Sequence, residues 1–115
     1  MNLSETEQST KNHVCTRSLK LLGDFWTLSI LAALDKGSLR YCALQRAIGN
    51  PNPVTLGNRL RRLQDAGLIN RHPSPDDISV SYSLTELGDA ALPVVNAIDM
   101  FSRRLPENKA SVQTT

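Results

Sequence analysis

Asn52 to Gly67, with the sequence NPVTLGNRLRRLQDAG, carries the start and stop signals of a single helix. Asn52 can cap the helix with its side-chain oxygen, and Pro53 suits the first helical position, where a missing N–H costs nothing. Gly67 suits the left-handed residue that follows a helix. The helix has one narrow apolar stripe at helical spacing, formed by Leu56, Leu60 and Leu63.

The opposite side of this predicted helix is polar and basic. It carries Val54, Asn58, Arg61 and Arg62, flanked by Thr55 and Arg59. Arginine and asparagine can pair bidentately with guanine and adenine edges in a DNA major groove. The alternative is a solvated basic face with no partner, and the helix taken alone favours that alternative. The neighbouring segments therefore have to decide between the two interpretations.

Composition predicts a single domain with a local basic surface. The chain has 115 residues and a net charge of only +2. Between Leu39 and His72, however, Asp65 is the only acid among six arginines, a distribution typical of a small DNA-binding module. Those arginines are Arg40, Arg46, Arg59, Arg61, Arg62 and Arg71.

Several classes of protein are disfavoured. Two cysteines, Cys15 and Cys42, are too few for a disulfide framework, and the N-terminus has no apolar signal core. The longest apolar stretch, Trp26 to Leu34, is too short to span a bilayer, so we expect a cytoplasmic protein without a membrane partner. His13 and His72 are isolated, which predicts no metal site and no cofactor. The sequence has no nucleophile–base pair at useful spacing and no phosphate loop, which disfavours an enzyme.

Before the opening helix, the pattern predicts three short helices. The first runs from Cys15 to Leu22 and ends at Gly23, and Asp24 is a plausible cap for a second helix that extends to about Asp35. A brief extended segment, residues 38–40, precedes a third helix over 41–48. Only a short break, residues 49–51, separates that helix from the opening one. Two short helices joined by a tight turn are typical of a helix-turn-helix.

After Gly67 the periodicity changes to that of strands. Residues 68–71 predict one strand, residues 72–77 have turn chemistry, and residues 78–84 alternate apolar and polar side chains. A hairpin placed directly after a recognition helix is a wing. We expect weak phosphate contacts from its tip, because Asp76 and Asp77 are acidic.

The last predicted helix carries a long apolar seam. Thr85 can cap it and Glu86 suits its first turn, whereas Pro93 should remove a hydrogen bond and kink it. The seam has strict heptad spacing and consists of Leu87, Ala91, Val94, Ile98, Phe101 and Leu105. Such a seam indicates a partner helix, most simply from a second copy; the alternative is a helix that lies along its own domain.

The predicted fold is mainly α with a small β-hairpin, a winged helix-turn-helix with N- and C-terminal dimerisation helices. Its domain spans residues 13–105, between a flexible arm at 1–12 and a disordered tail at 106–115. The ordered set of motifs resembles the HxlR-type winged helix-turn-helix transcriptional regulators of bacteria. The motifs are Gly23-Asp24-Phe25-Trp26-Thr27-Leu28, Leu39-Arg40-Tyr41, Thr55-Leu56, Arg59-Leu60-Arg61, Gly67-Leu68-Ile69, Tyr82-Ser83-Leu84-Thr85 and Leu92-Pro93-Val94. MarR-like and PadR-like relatives are alternatives within the same class.

The resemblance implies a homodimer built from the first and last helices, bound to an inverted-repeat operator in double-stranded DNA. The expected dimer residues are Leu19, Leu22, Leu87, Ala91, Val94, Ile98 and Phe101. The resemblance also implies that Cys15 could sense oxidants or electrophiles, while a small buried residue is the alternative role for Cys15. Cys42 is predicted to be a core residue. The effector, if there is one, cannot be read from the sequence.

Two kinds of DNA contact are expected. Thr55, Asn58 and Arg59 are predicted to reach base edges, with Val54 able to touch a thymine methyl group. The predicted phosphate contacts are Arg61, Arg62, Arg40 and Arg71, with His72 as a further candidate at the base of the wing. A winged helix used only for protein–protein contact, without an operator, remains the alternative function.

Overall fold

The computed structural model describes residues 16–75 and 79–107. The predicted flexible arm, Cys15, the acidic wing tip at Asp76 and Asp77, and the chain beyond Glu107 lie outside the described residues. Predictions for those segments therefore have no structural outcome.

Two helices meet at a sharp junction in the N-terminal part. Helix α1 comprises residues 16–22 and helix α2 spans Phe25–Leu34. The Gly23 N–H donates to the Leu19 carbonyl at 2.7 Å, and any Cβ at Gly23 would collide with that carbonyl. Asp24 caps α2 as predicted, because its side chain accepts a hydrogen bond from the Thr27 N–H.

The helix-turn-helix follows a two-residue strand. Strand β1 is Leu39–Arg40, helix α3 is Tyr41–Ala47 and helix α4 is Pro53–Asp65. After α3, the Gly49 N–H donates to the Arg46 carbonyl and the Asn50 N–H to the Gln45 carbonyl, the paired bonds of a Schellman motif. Gly49 and Asn50 both have positive φ, 102° and 56°, so the chain reverses within a few residues.

Helix α4 begins and ends where the sequence predicted. The Asn52 side chain accepts from the Val54 N–H at 2.8 Å, and Pro53 occupies the first turn. At the other end the Gly67 N–H donates to the Gln64 carbonyl, and the next N–H, that of Leu68, donates to the Leu63 carbonyl. Gly67 has φ +82°, the left-handed geometry that such a stop requires.

The wing is part of a three-stranded antiparallel sheet in the order β1-β3-β2. Strand β2 is Ile69–His72 and strand β3 is Ser81–Leu84. The hairpin prediction is confirmed, with Arg71 opposite Tyr82. The bounds differ: β2 continues through His72, which was predicted to belong to the turn, and β3 starts at Ser81, within the predicted strand of residues 78–84. The pairing of Leu39 with Tyr82, which adds β1 to the sheet, had no local sequence signal.

Helix α5 spans Glu86–Arg104 and is continuous through Pro93. Thr85 is its cap, because the Thr85 hydroxyl accepts from the Gly88 N–H at 3.1 Å and donates to the Gly67 carbonyl at 2.6 Å. One side chain thus joins the start of α5 to the end of α4. Gly88 is buried, and a Cβ there would collide with the backbone carbonyl of Leu68.

The core lies where the four helices α2 to α5 meet the inner face of the sheet. Residues from every one of these elements are buried together in it. They include Ile30, Leu31, Leu34, Leu44, Leu56, Leu60, Leu63, Tyr82, Ala91 and Val95. Leu56 and Leu63 of α4 are fully buried, so the predicted leucine stripe does anchor this helix. The buried stripe fixes which side of α4 faces solvent.

Candidate nucleic-acid interface

The outward side of α4 is exposed to solvent. Val54 is 71% exposed, and Gly57, Asn58 and Arg61 are exposed as well. These positions lie opposite the buried leucines at 3.6 residues per turn. Thr55 is half-buried at the margin of this surface. Val54, Gly57, Asn58 and Arg61 together form the outer face of α4.

The turn before α4 is held by side chains as well as by backbone. The Gln45 amide donates to the Pro51 carbonyl at 3.2 Å, and Pro51 itself is buried. Together with the Asn52 cap, this bond ties the end of α3 to the start of α4. The outer face therefore sits on a helix whose entry is fixed at two points, which suits a surface that must present side chains in a defined arrangement.

Arg59 does not belong to the outer face. Its Nε donates to Asp24 Oδ2 at 2.9 Å and its Nη2 to Asp24 Oδ1 at 3.3 Å, so the guanidinium forms a fork on the carboxylate. The two side chains are 27% and 25% exposed. Arg59 was expected at a base edge, but in the structure its guanidinium is held on the flank of α4, against the start of α2. At 3.6 residues per turn, Arg59 lies close to the leucine stripe, three residues after Leu56 and next to Leu60.

The hydrogen bond from Arg59, opposed in part by desolvation, lowers the pKa of Asp24 from 3.8 to about 2. Two bonds from Thr27, from its N–H and its hydroxyl, act in the same direction as Arg59. The adjacent carboxylate in turn raises the pKa of Arg59. The pair is therefore fully ionised at neutral pH.

Arg62 lies on the same flank, one turn further along α4. Its Nη2 donates to the backbone carbonyl of Lys20 at 2.6 Å, and the side chain remains exposed. This bond links α4 to α1. Arg62 was expected at a phosphate, and its exposure leaves it accessible to one, whereas its geometry is set by α1.

The wing distributes the remaining basic candidates over two faces. Arg40 and His72 are both paired with Ser81, so these side chains share one face of the sheet. His72 Nε2 is 2.7 Å from the Ser83 hydroxyl on that face. Arg71 is opposite the buried Tyr82 and so belongs to the other face, although its own side chain is exposed. The structure thus places Arg40 and His72 on one face of the sheet, with β3 between them, and Arg71 on the other face.

The predicted dimer residues are largely uncovered in the single chain. Leu19, Leu87, Val94, Ile98 and Phe101 are exposed, with Phe101 at 63% and Ile98 at 44%. Leu22 is partly buried against the core. Ala91 is the exception, because it is 8% exposed and packs into its own core.

An apolar groove between α2 and α5 adjoins this exposed seam. Its lining includes Phe25, Leu28, Ala32, Val95 and Ile98. Phe25 is 67% exposed and packs edge-on against Trp26, with ring centroids 4.9 Å apart. Sequence reasoning did not single out Phe25 as a surface residue; the signal available was its position directly after a cap, on the side of α2 away from Ile30 and Leu34.

The two cysteines have different outcomes. Cys42 was predicted to be a core residue, and that prediction is wrong, because its thiol is free and exposed on α3. Leu44, two residues further on, fills the core position instead. Cys15 lies outside the described residues.

Within residues 16–75 and 79–107, no cluster of three or more His, Cys, Asp or Glu side chains could hold a metal ion. Over the same residues, no helix combines the length and apolar character needed to cross a bilayer.

A helix-turn-helix followed by an antiparallel hairpin and a long C-terminal helix defines the winged helix-turn-helix class. Comparison with known proteins gives the family within that class. Residues 21–109 match the HxlR-like helix-turn-helix family, and the chain belongs to it. The resemblance stated from sequence is thereby confirmed.

Individual relatives agree with this family. An uncharacterized HTH-type transcriptional regulator of Mycobacterium tuberculosis is 39% identical over 89 residues, which cover 76% of this chain and 56% of the relative. The chain therefore spans about half the length of that relative.

Solved structures agree as well. A protein described as a MarR-family transcriptional regulator from Porphyromonas gingivalis W83 has a TM-score of 0.74 and 31% identity, covering 80% of this chain and 91% of its own. The reduced form of the transcriptional regulator YodB from Bacillus subtilis has a TM-score of 0.68 and 26% identity, with the same coverage of 80% and 91%. A diamide-treated form of YodB is also similar, with a TM-score of 0.65 over 81% of this chain and 93% of that one.

Proposed function

We propose that this protein is a transcriptional regulator that binds operator DNA as a homodimer, with α4 of each copy in a major groove. The observation that carries the proposal is the division of α4 into a fully buried leucine stripe and an outer face of Val54, Gly57, Asn58 and Arg61. A helix of this kind fits the dimensions of the groove.

The outer face suggests which side chains read bases. Asn58 and Arg61 lie near its centre, where asparagine suits adenine and arginine suits guanine. Val54 can contact a thymine methyl group. Thr55, half-buried at the margin, is the remaining candidate on the first turn. Arg59 is assigned to Asp24 rather than to a base.

Phosphate contacts come from exposed cations around the outer face. Arg62, Arg40, Arg71 and His72 are exposed and lie on α4 or on the sheet. Each such contact by an arginine releases about one counterion, so the affinity should fall as salt rises. The slope of log affinity against log salt concentration should be about −0.9 for each phosphate neutralised. The wing faces that carry Arg40 and Arg71 differ, so the two residues would reach different phosphates.

The test is selection of binding sites from random duplexes with the purified protein, followed by affinity measurements. The proposal expects an enriched inverted repeat whose half-site centres are about 34–36 Å apart. Arg61→Ala should weaken binding by about 1–3 kcal/mol and relax base choice at one position. Arg103→Ala is the matched control, because it removes the same charge from α5. Failure to enrich any sequence would favour the protein–protein alternative.

The homodimer is supported by the uncovered seam on α5 and by the apolar groove beside it. Four large side chains of the predicted seam, Leu87, Val94, Ile98 and Phe101, are at least 44% exposed. Ile98 of the seam and Phe25 of α2 both line the groove, so the apolar surface extends from the seam into the groove. Contiguous apolar surfaces of this kind mark interfaces. Sedimentation of the purified protein measures the stoichiometry directly, and a monomer at micromolar concentration would contradict the proposal.

A response to oxidants through Cys15 is a second part of the proposal. It is supported by the similarity to YodB, which is known in reduced and diamide-treated forms. Operator affinity should change on diamide treatment in the wild type and in Cys42→Ser, but not in Cys15→Ser. The exposed Cys42 makes this comparison necessary, because its thiol is accessible to the same reagent. If only Cys42→Ser abolishes the response, the sensor is Cys42.

A further inference from the structure

Two arginines on one flank of α4 bind the junction between α1 and α2. Arg59 forms its forked ion pair with Asp24, and Arg62 donates to the Lys20 carbonyl. The two contacts are one helical turn apart on α4 and on either side of Gly23 in the chain. They join α4 to the junction of two helices that lie outside the helix-turn-helix pair α3–α4.

Asp24 is a rigid anchor for Arg59. Its Oδ2 atom accepts from the Thr27 N–H and from the Thr27 hydroxyl, both at 3.0 Å, as well as from Arg59. Thr27 is only 1% exposed, so its own position is fixed by the core. Because the Asp24 carboxylate is immobilised, a rotation of α4 would pull the Arg59 guanidinium away from it and break the forked pair.

The leucine stripe alone does not define the rotation of α4 about its axis so sharply. Apolar contacts are non-directional, whereas a forked hydrogen-bond pair has a preferred geometry. Side-chain tips lie about 5–6 Å from a helix axis, so a rotation of about 10° moves them by about 1 Å. A displacement of that size is enough to spoil a bidentate contact between a side chain and a base edge.

We propose that Asp24 and Arg59 are positioning residues for DNA recognition: their ion pair fixes the rotation of α4, so that the outer face meets the groove in one register. The inference rests on the proposed operator binding. Asp24 then determines operator affinity from the start of α2, outside the helix-turn-helix pair α3–α4. Arg62 and the Lys20 carbonyl add a second tie on the same flank.

The test is a double-mutant cycle on the duplex selected by the wild-type protein, with Asp24→Asn, Arg59→Gln and the double variant. Each single variant should weaken binding about three- to thirtyfold. The double variant should bind the duplex as tightly as the single variant that has the lower affinity. The dependence of log affinity on log salt should keep its slope, because no phosphate contact is lost. Arg71→Gln combined with Asp24→Asn is the control and should be additive, because Arg71 lies on β2 and its position does not depend on the rotation of α4.

A second measurement does not use DNA. In the ¹H–¹⁵N spectrum of the free protein, the Arg59 Nε–Hε signal should be shifted and slowly exchanging in the wild type and lose both properties in Asp24→Asn. The amide signals of Val54, Asn58 and Arg61 should shift in the same variant. Arg59→Lys, which keeps the charge but not the fork, should also weaken binding, and it serves as the folded variant if Arg59→Gln does not fold.

Contrary outcomes are distinct. Wild-type affinity in Asp24→Asn would overturn the proposal. A loss of affinity in Arg59→Gln alone, with a shallower dependence on salt, would overturn it as well, because that pattern means that Arg59 contacts DNA directly. If the wild type selects no sequence, the proposed function fails instead, and the spectrum of Asp24→Asn still decides whether the pair positions α4. Unchanged amide signals on the outer face would then reject the positioning role.

Discussion

Replacing Asp24 by Asn should make the stability of the protein less dependent on pH in the acid range. Asparagine caps helices about as well as aspartate, so the bond from the Thr27 N–H can be kept. What the variant loses is the charge that Arg59 binds through two hydrogen bonds. The comparison therefore separates the ion pair from the helix cap at the same position.

The structure sets the magnitude. The pKa of Asp24 falls from 3.8 to about 2, chiefly through the hydrogen bond from Arg59. At 1.36 kcal/mol per pKa unit, the upper bound on the contribution to the free energy of unfolding is about 2.4 kcal/mol. The two side chains are 27% and 25% exposed, and screening by solvent reduces the expected value to about 1–2 kcal/mol.

The sign follows from the direction of the shift. Since folding lowers the pKa of this carboxyl, its contribution is fully present above the unfolded value of 3.8 and is lost as the pH falls towards about 2. Urea unfolding of wild type and Asp24→Asn at pH 6, 4, 3 and 2.5 measures the difference. We expect it to shrink by about 1 kcal/mol over that range, because part of the contribution remains at pH 2.5, above the folded pKa of about 2. A difference that stays constant with pH would refute the assignment of the ion pair.

Three further substitutions, two of them with a matched control variant, test helix packing, the α5 seam and the cap of α4. Gly88→Ala should destabilise the fold by about 1–3 kcal/mol or more, because its Cβ would meet backbone, whereas the exposed Gly57→Ala should stabilise α4 by about 0.5–1 kcal/mol in the same urea assay. Phe101→Glu should convert a dimer to a monomer in sedimentation, while Met100→Glu, on the other side of α5 and 67% exposed, should not. Asn52→Ala should cost about 1 kcal/mol of unfolding free energy, and an unchanged urea midpoint would mean that the 2.8 Å cap bond contributes nothing.

Features specified by neighbouring residues were predictable from the sequence. The caps at Asn52 and Thr85 and the left-handed stop at Gly67 are local chemistry, and all three are confirmed. The leucine stripe of α4 is equally local, since periodicity alone determines which side of a helix is apolar. The alternation of apolar and polar side chains after Gly67 predicted the hairpin of the wing.

Features that depend on distant residues were not predictable. Nothing near Leu39 shows that it pairs with Tyr82, and a two-residue strand has too few positions to show alternation. Cys42 could equally have faced the core or solvent, because α3 has only one fully buried apolar position, Leu44. Ala91 fits both the heptad seam and the core, and tertiary packing decides for the core.

Arg59 shows how such a long-range contact changes a functional interpretation. On α4 it is one of three arginines in a basic helix, and a count of charges assigns all three to DNA. Asp24, 35 positions earlier, neutralises one of them. Arg62 is oriented by the backbone carbonyl of Lys20. Among the described residues, no hydrogen bond or ion pair orients Arg61, so its guanidinium is available to a base. Sequence choice should therefore depend on Asn58 and Arg61 more steeply than the basic composition of the helix suggests, whereas Arg59 should affect all operators alike.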